Sequence, residues 1–198
     1  PASQKIPNRF LISPRGKSFI PILPSYGNLP RISGNTLVDI MDGQYSDHFE
    51  KLFIIDCRFH YEYEGGHIKD AMNCCNPAIL YQLFFDEIQN DSVIIFHCEF
   101  SQNRGPQMAQ FFREKDREVN CQKYPELFYP NVFILDGGYS SFYSRFEEYC
   151  DGGYVSMFDE EHKSNGDLIR ATNDFRQNVG KIESQSSLPF LTKYTTYD

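Results

Sequence analysis

Val93-Ile94-Ile95-Phe96-His97-Cys98-Glu99-Phe100-Ser101-Gln102-Asn103-Arg104-Gly105-Pro106 is the stretch that decides the fold. An apolar segment ends in a cysteine, five residues follow, and then come an arginine, Gly-Pro and a helical stretch. Strand, tight loop and helix in that order form the repeating unit of an α/β layer fold. Five residues between Cys98 and Arg104 can wrap into a crown of backbone N–H groups, with the next helix aiming its positive end at the centre. Such a crown suits a tetrahedral dianion. Cys98 Sγ would sit at its base, where the same dipoles favour negative charge. Arg104 would clamp two oxygens with its planar fork. The combination reads as phosphoryl transfer to a cysteine nucleophile. The plain alternative is a core cysteine beside a helix N-terminus, but Glu99, Ser101, Gln102, Asn103 and Arg104 make a poor core.

Working outward, 198 residues suit one domain with a sizeable core. The net charge of −8 argues against a nucleic-acid binder, which would carry a basic stripe. Local phosphate recognition survives an acidic total. The six cysteines, Cys57, Cys74, Cys75, Cys98, Cys121 and Cys150, include no C-x2-C pair, which argues against zinc. A core of this size does not need disulfides and nothing at the start reads as a signal peptide, so a reducing, intracellular compartment is expected. No apolar run approaches the roughly 20 residues of a membrane span.

Residues 1–28, rich in Pro, Gly and Ser, read as an irregular lead-in. Asn35 or Thr36 can cap a short helix over Leu37, Val38, Ile40 and Met41 that stops at Gly43. Leu52 to Asp56, Val93 to His97 and Asn131 to Asp136 are continuous apolar runs of the buried parallel type, and Ala71 to Asn73 is a shorter candidate. Helices are expected over Pro77 to Gln89, over Gly105 to Glu118 and after Gly137-Gly138. The main domain spans 29–155. Residues 156–198 form a further segment with a helix at 166–180 and a mobile end. Strands alternating with helices imply an α/β fold, a central, mostly parallel sheet flanked by helices in three layers, with ligands at the carboxyl ends of strands. Cys98 and the pair Asp56-Cys57 both lie at such ends.

A second string, Asp56-Cys57-Arg58-Phe59-His60-Tyr61-Glu62-Tyr63-Glu64-Gly65-Gly66-His67-Ile68, carries weight together with His97 to Pro106 and Ile134 to Tyr139. From about Leu29 to about Phe146 the chain closely resembles the catalytic domain of the M-phase inducer phosphatases. The resemblance implies a rhodanese-like fold and a dual-specificity phosphatase of the cell cycle, found in nucleus and cytoplasm. Its partner would be a phosphorylated cyclin-dependent kinase–cyclin complex, and it would act as a monomeric domain without metal or organic cofactor. It implies Cys98 as nucleophile, Arg104 as phosphate clamp and Glu99 as a loop acid. The amides of Glu99, Phe100, Ser101, Gln102, Asn103 and Arg104 would hold the phosphate through two in-line displacements and a cysteinyl-phosphate. It also implies Cys57 as a second thiol able to trap oxidised Cys98, and Arg113, Arg117 and Tyr124 as docking residues for the protein substrate.

Some positions carry two readings. His97 activates the thiol by a hydrogen bond or positive charge, or it is a buried imidazole ending a strand. Glu99 supplies the leaving-group proton, or it is a surface carboxylate pairing with a substrate cation. Asp56, Arg58 and Glu62 read as a structural polar network, and Cys74, Cys75, Cys121 and Cys150 as structural thiols. Arg113 and Arg117, at i and i+4, share one helix face. His60 stands where the family has proline, Gln107 where arginine is common, and two extra residues precede Tyr124. Three rivals remain: a sulfurtransferase, whose loop is one residue shorter, an arsenate reductase, and a non-catalytic phosphopeptide-binding module.

Overall fold

The computed structural model describes residues 19–24 and 28–185. Five parallel strands form the central sheet in the order β1 (Arg31–Ile32), β6 (Asn131–Leu135), β5 (Ser92–His97), β2 (Lys51–Asp56) and β4 (Ala71–Asn73). The expected strands are present, and they are apolar on both faces because helices cover both. Ile54, Ile95 and Phe133 face one layer with Leu37, Ile40 and Phe142. Ile55, Ile94, Phe96 and Ile134 face the other with Leu80, Met108 and Phe112. The first layer is built by α1 (Gly34–Met41) and α5 (Gly138–Tyr143), the second by α3 (Pro77–Tyr81) and α4 (Arg104–Val119).

The remaining elements are α2 (His60–Glu64) and β3 (Gly66–Ile68), which follow β2, and β7 (Cys150–Gly152), α6 (Glu160–Ser164) and α7 (Asp167–Gln185), which follow α5. Strands β3 and β7 pair antiparallel, apart from the main sheet. No helix among the described residues is long and apolar enough to cross a membrane.

Several expectations need correction. The cap of α1 is Ser33, whose Oγ accepts from the Thr36 N–H at 3.1 Å, rather than Asn35 or Thr36. The helix expected to run to Gln89 is regular only to Tyr81. It then widens over Gln82–Asp86 and leaves helical geometry at Glu87, where the Tyr129 hydroxyl donates to the Phe84 carbonyl and accepts the Gln89 N–H. The lead-in also contributes to the core: Ile20 is fully buried in the first layer, and Leu23 bridges Arg31. The rest of that stretch, residues 1–18 and 25–27, lies outside the described residues, as do residues 186–198 of the end expected to be mobile after Glu183. The helix expected at 166–180 is the longer α7, which packs through Phe175 on the second layer and buries Val179.

Candidate active site

Strand β5 delivers Cys98 to the carboxyl edge of the sheet, and α4 begins at Arg104. The intervening loop is held from outside by its carbonyls. The Cys98 C=O accepts from the Tyr139 N–H and the Glu99 C=O from the Ser140 N–H, each at 2.9 Å. The Ser101 C=O accepts from Arg31 Nη2 at 2.9 Å. With its carbonyls turned outward and Ser101 at φ 52°, the loop turns its amides the other way. Among the described residues, none of the backbone N–H groups of Glu99, Phe100, Ser101, Gln102, Asn103 and Arg104 donates to a protein acceptor. A cluster of free N–H groups over a helix N-terminus is an anion site.

Glycine makes the geometry feasible at two places. A Cβ on Gly105 would lie 2.8 Å from the His97 carbonyl carbon, so only glycine lets α4 start directly under the strand end. A Cβ on Gly138, at φ 62°, would lie 2.4 Å from the Cys98 oxygen, where the α5 backbone pins the loop.

Arg104 is nearly buried, and its terminal fork is not free. Nη1 and Nη2 donate to the two oxygens of Glu62 on α2, the second at 3.0 Å, and the guanidinium lies 4.4 Å over the Phe59 ring. Glu62 also accepts the Phe59 N–H at 2.9 Å. Burial pushes the Glu62 carboxyl up and the Arg104 fork draws it back. Burial works downward on Arg104, but Glu62 outweighs it and holds the guanidinium above its ordinary value. The pair is bidentate, each carboxylate oxygen of Glu62 meeting one terminal nitrogen of Arg104. Glu62 thus takes up the terminal fork that the sequence suggests for phosphate, and the Nε–H edge is the part of Arg104 that it leaves available. Nothing in the sequence links the two partners, which lie 42 residues apart.

The Asp56, Arg58 and Glu62 network thus divides in two. Arg58 is fully buried, forks onto Asp56 with Nη2 at 2.7 Å, donates to the Gly66 carbonyl and stacks 3.8 Å over Tyr139. That half is structural. Glu62 orients the phosphate-clamp candidate.

Glu99 is buried, not a surface carboxylate. Its Oε1 accepts from the Tyr154 hydroxyl at 2.6 Å and its Oε2 from the Met157 N–H at 3.4 Å. Burial and that carboxylate raise Tyr154 to about 12. A carboxylate used twice as an acceptor, and directed at the chain after β7, is badly placed to donate a proton at the loop. What the structure shows of Glu99 is an anchor for the chain after β7. His97 is fully buried, with Nδ1 3.4 Å from the Cys98 oxygen and Nε2 3.8 Å from Asp56 Oδ2. Burial lowers its value against the pull of Asp56, so the ring is neutral at about pH 7, and the positive-charge reading is not supported.

The docking pair is also split. Arg113 is buried, with Nη1 donating to Asp116 at 3.0 Å and to the Tyr129 carbonyl at 2.7 Å. Burial lowers it to about 10. It ties α4 to the turn before β6 and is withdrawn as a docking residue. Arg117 and Tyr124 are exposed, Tyr124 at 85%. Cys57 is fully buried on the strand next to Cys98, and its N–H donates to the His97 carbonyl at 2.8 Å. Among the described residues, no three His, Cys, Asp or Glu side chains are grouped to hold a metal ion.

Residues 37–145 match the Rhodanese-like domain family. The chain is 41% identical over 162 residues to the M-phase inducer phosphatase of Emericella nidulans, a match covering 81% of this chain and 28% of that protein. It is 40% identical over 161 residues to the Schizosaccharomyces pombe M-phase inducer phosphatase, covering 80% and 27%. The chain thus spans under a third of the length of these two relatives. Among solved structures, a yeast protein tyrosine phosphatase of the Rhodanese family is similar at 24% identity and a TM-score of 0.47, covering 62% of this chain and 92% of that one.

Proposed function

The chain belongs to the Rhodanese-like domain family, and from that premise we propose that it is the catalytic domain of a dual-specificity protein phosphatase of the M-phase inducer type. The observation that carries the reading is the loop of free N–H groups from Glu99 to Arg104, with Cys98 at its start. Five residues between Cys98 and Arg104 make a ring sized for a tetrahedral phosphate. A sulfurtransferase carries a persulfide and needs a smaller one.

In this reading the bound phosphate takes the amides and the Nε–H edge of Arg104. Cys98 Sγ attacks phosphorus in line while the ester oxygen leaves. The S–P bond forms as the P–O bond breaks, and water then attacks phosphorus and restores the thiol. The amide ring and Arg104 stabilise the charge on the transferring group. Glu99 is engaged elsewhere, so the proton reaches the leaving oxygen from the substrate or solvent. The substrate is a phosphorylated cyclin-dependent kinase complex carrying phosphothreonine and phosphotyrosine. A loop at the sheet edge supplies little discrimination, so Arg117 and Tyr124 supply contacts away from the chemistry. Cys57 is the thiol that captures Cys98 when it is oxidised.

Phosphate release from a small aryl phosphate tests the reading, with thiocyanate formation and arsenate reduction run in parallel. Phosphate release that Cys98→Ser abolishes supports it. Thiocyanate formation or arsenate reduction without phosphate release would overturn it.

A further inference from the structure

The sequence reads Cys74 as a structural thiol, and the fold sets it in line with two others. In the register of the sheet, Ile55 of β2 sits beside Phe96 of β5 on one side and Met72 of β4 on the other. Two residues further along each strand stand Cys57, Cys98 and Cys74. The ladder continues past the strand ends to reach them: the Cys57 N–H donates to the His97 carbonyl at 2.8 Å, and the Cys74 N–H to the Asp56 carbonyl at 2.9 Å. Side chains two residues apart on a strand share a face. All three thiols accordingly join the same core layer, each at most 5% exposed. Adjacent strands lie about 4.8 Å apart, inside the roughly 4.4–6.8 Å Cα separation that a disulfide spans. Burial pushes the Cys57 thiol well above its ordinary value, and the charges of Cys98 and Cys74 add to the effect, as expected for a thiol with one neighbour on each side.

We infer that Cys98, Cys57 and Cys74 form a three-thiol relay in which Cys57–Cys98 is the first disulfide and Cys57–Cys74 the final one, so that oxidation is passed off the nucleophile. The inference rests on the proposed role of Cys98. Hydrogen peroxide oxidises the Cys98 thiol to the sulfenic acid and is itself reduced to water. The Cys57 thiol condenses with it, forming the S–S bond and releasing a second water. Cys74, having given its proton to solvent, attacks Cys57 Sγ. The new bond joins Cys57 to Cys74, and the electron pair of the broken bond leaves on Cys98 as thiolate. Displacement at the middle sulfur runs along the row, so attacking and leaving sulfurs stand on opposite sides. The sum is three thiols and one peroxide giving one disulfide, one free thiol and two waters. The phosphatase recovers without a reductant.

The experiment uses the full chain, reduced, then treated with one equivalent of hydrogen peroxide, cleared with catalase and kept without reductant. Aryl phosphate hydrolysis and non-reducing peptide maps are followed together. Wild type should lose activity and regain most of it while the mapped disulfide moves from Cys57–Cys98 to Cys57–Cys74. Burial raises the Cys74 thiol above its ordinary value, so recovery should quicken toward tenfold per pH unit. Reduced Cys74→Ser should match wild type in turnover and lose activity equally, then stay at Cys57–Cys98 until dithiothreitol is added. Cys74→Ala should do the same. Wild type locked at Cys57–Cys98, a final disulfide to another cysteine, or Cys74→Ser recovering like wild type would overturn the relay. Full turnover by reduced Cys98→Ser removes the nucleophile reading, and the relay with it, before any peroxide is added.

Discussion

Glu62 holds the terminal fork of Arg104 through both of its carboxylate oxygens, inside the protein and against the Phe59 ring. The phosphate-clamp candidate is thereby pre-oriented by a residue on a different helix. Preorganised charge is what stabilises a transition state at low reorganisation cost.

Glu62→Ala leaves a guanidinium buried without its partner and should destabilise the domain by about 3–5 kcal/mol in urea unfolding. Glu62→Gln keeps the shape and loses the charge. It should stay folded yet lower kcat/KM on an aryl phosphate by at least about tenfold, about 1.4 kcal/mol. Unchanged kinetics for Glu62→Gln would separate the pair from catalysis.

Glu99→Gln and Tyr154→Phe test anchoring against proton donation. Tyr154→Phe removes the donor of the Tyr154–Glu99 hydrogen bond, whereas Glu99→Gln keeps an oxygen acceptor and removes its charge. Hydrogen bonds to charged groups contribute about 1.5–3 kcal/mol, so Tyr154→Phe should lose stability in that range and Glu99→Gln less. On a series of aryl phosphates, Glu99→Gln should slow good and poor leaving groups by the same factor. A penalty that grows as the leaving group becomes more basic would restore Glu99 as the acid.

Arg113→Ala breaks a buried pair and should cost about 3–5 kcal/mol of stability, lowering activity on every substrate alike. Arg117→Ala and Tyr124→Ala should leave stability and aryl phosphate hydrolysis unchanged. On a phosphorylated cyclin-dependent kinase complex they should lower kcat/KM by about tenfold, more at low salt for Arg117→Ala. Equal losses on both substrates would withdraw the docking proposal.

His97 gives the domain a pH signature. Burial holds its folded value below the ordinary 6.5, so between the two values the unfolded chain binds more protons. Stability from this group is therefore complete above about pH 6.5 and is lost as pH falls below it, at up to about 1.4 kcal/mol per unit. His97→Gln should flatten the fall of the urea midpoint between about pH 6.5 and the folded value, where carboxylates contribute less. Parallel slopes for the two proteins would contradict a buried neutral imidazole.

These residues show what was legible in the sequence. Strands β2, β5 and β6 announce themselves because parallel strands buried on both faces are apolar throughout. Strands β1, β3 and β7 are only two or three residues long and exist by pairing with distant partners, so no local pattern marks them. Cys98 and Arg104 are readable because strand, loop and helix are contiguous. Glu62, Tyr154 and Met157 reach the site through the fold, and only side-chain geometry reveals them. Arg113 misleads because i and i+4 spacing gives a shared face but not which way it turns. The buried Asp116 carboxylate and the Tyr129 carbonyl turn it inward.

Cys98 is proposed to carry the phosphoryl group during turnover. Rapid acid quench of the enzyme in its first turnover with an aryl phosphate, followed by peptide mass mapping, tests it directly. A phosphoryl adduct on the peptide holding Cys98, formed and lost at rates matching turnover and absent from Cys98→Ser, is the predicted result. An adduct on another residue, or steady turnover by Cys98→Ser, would rule Cys98 out as the nucleophile.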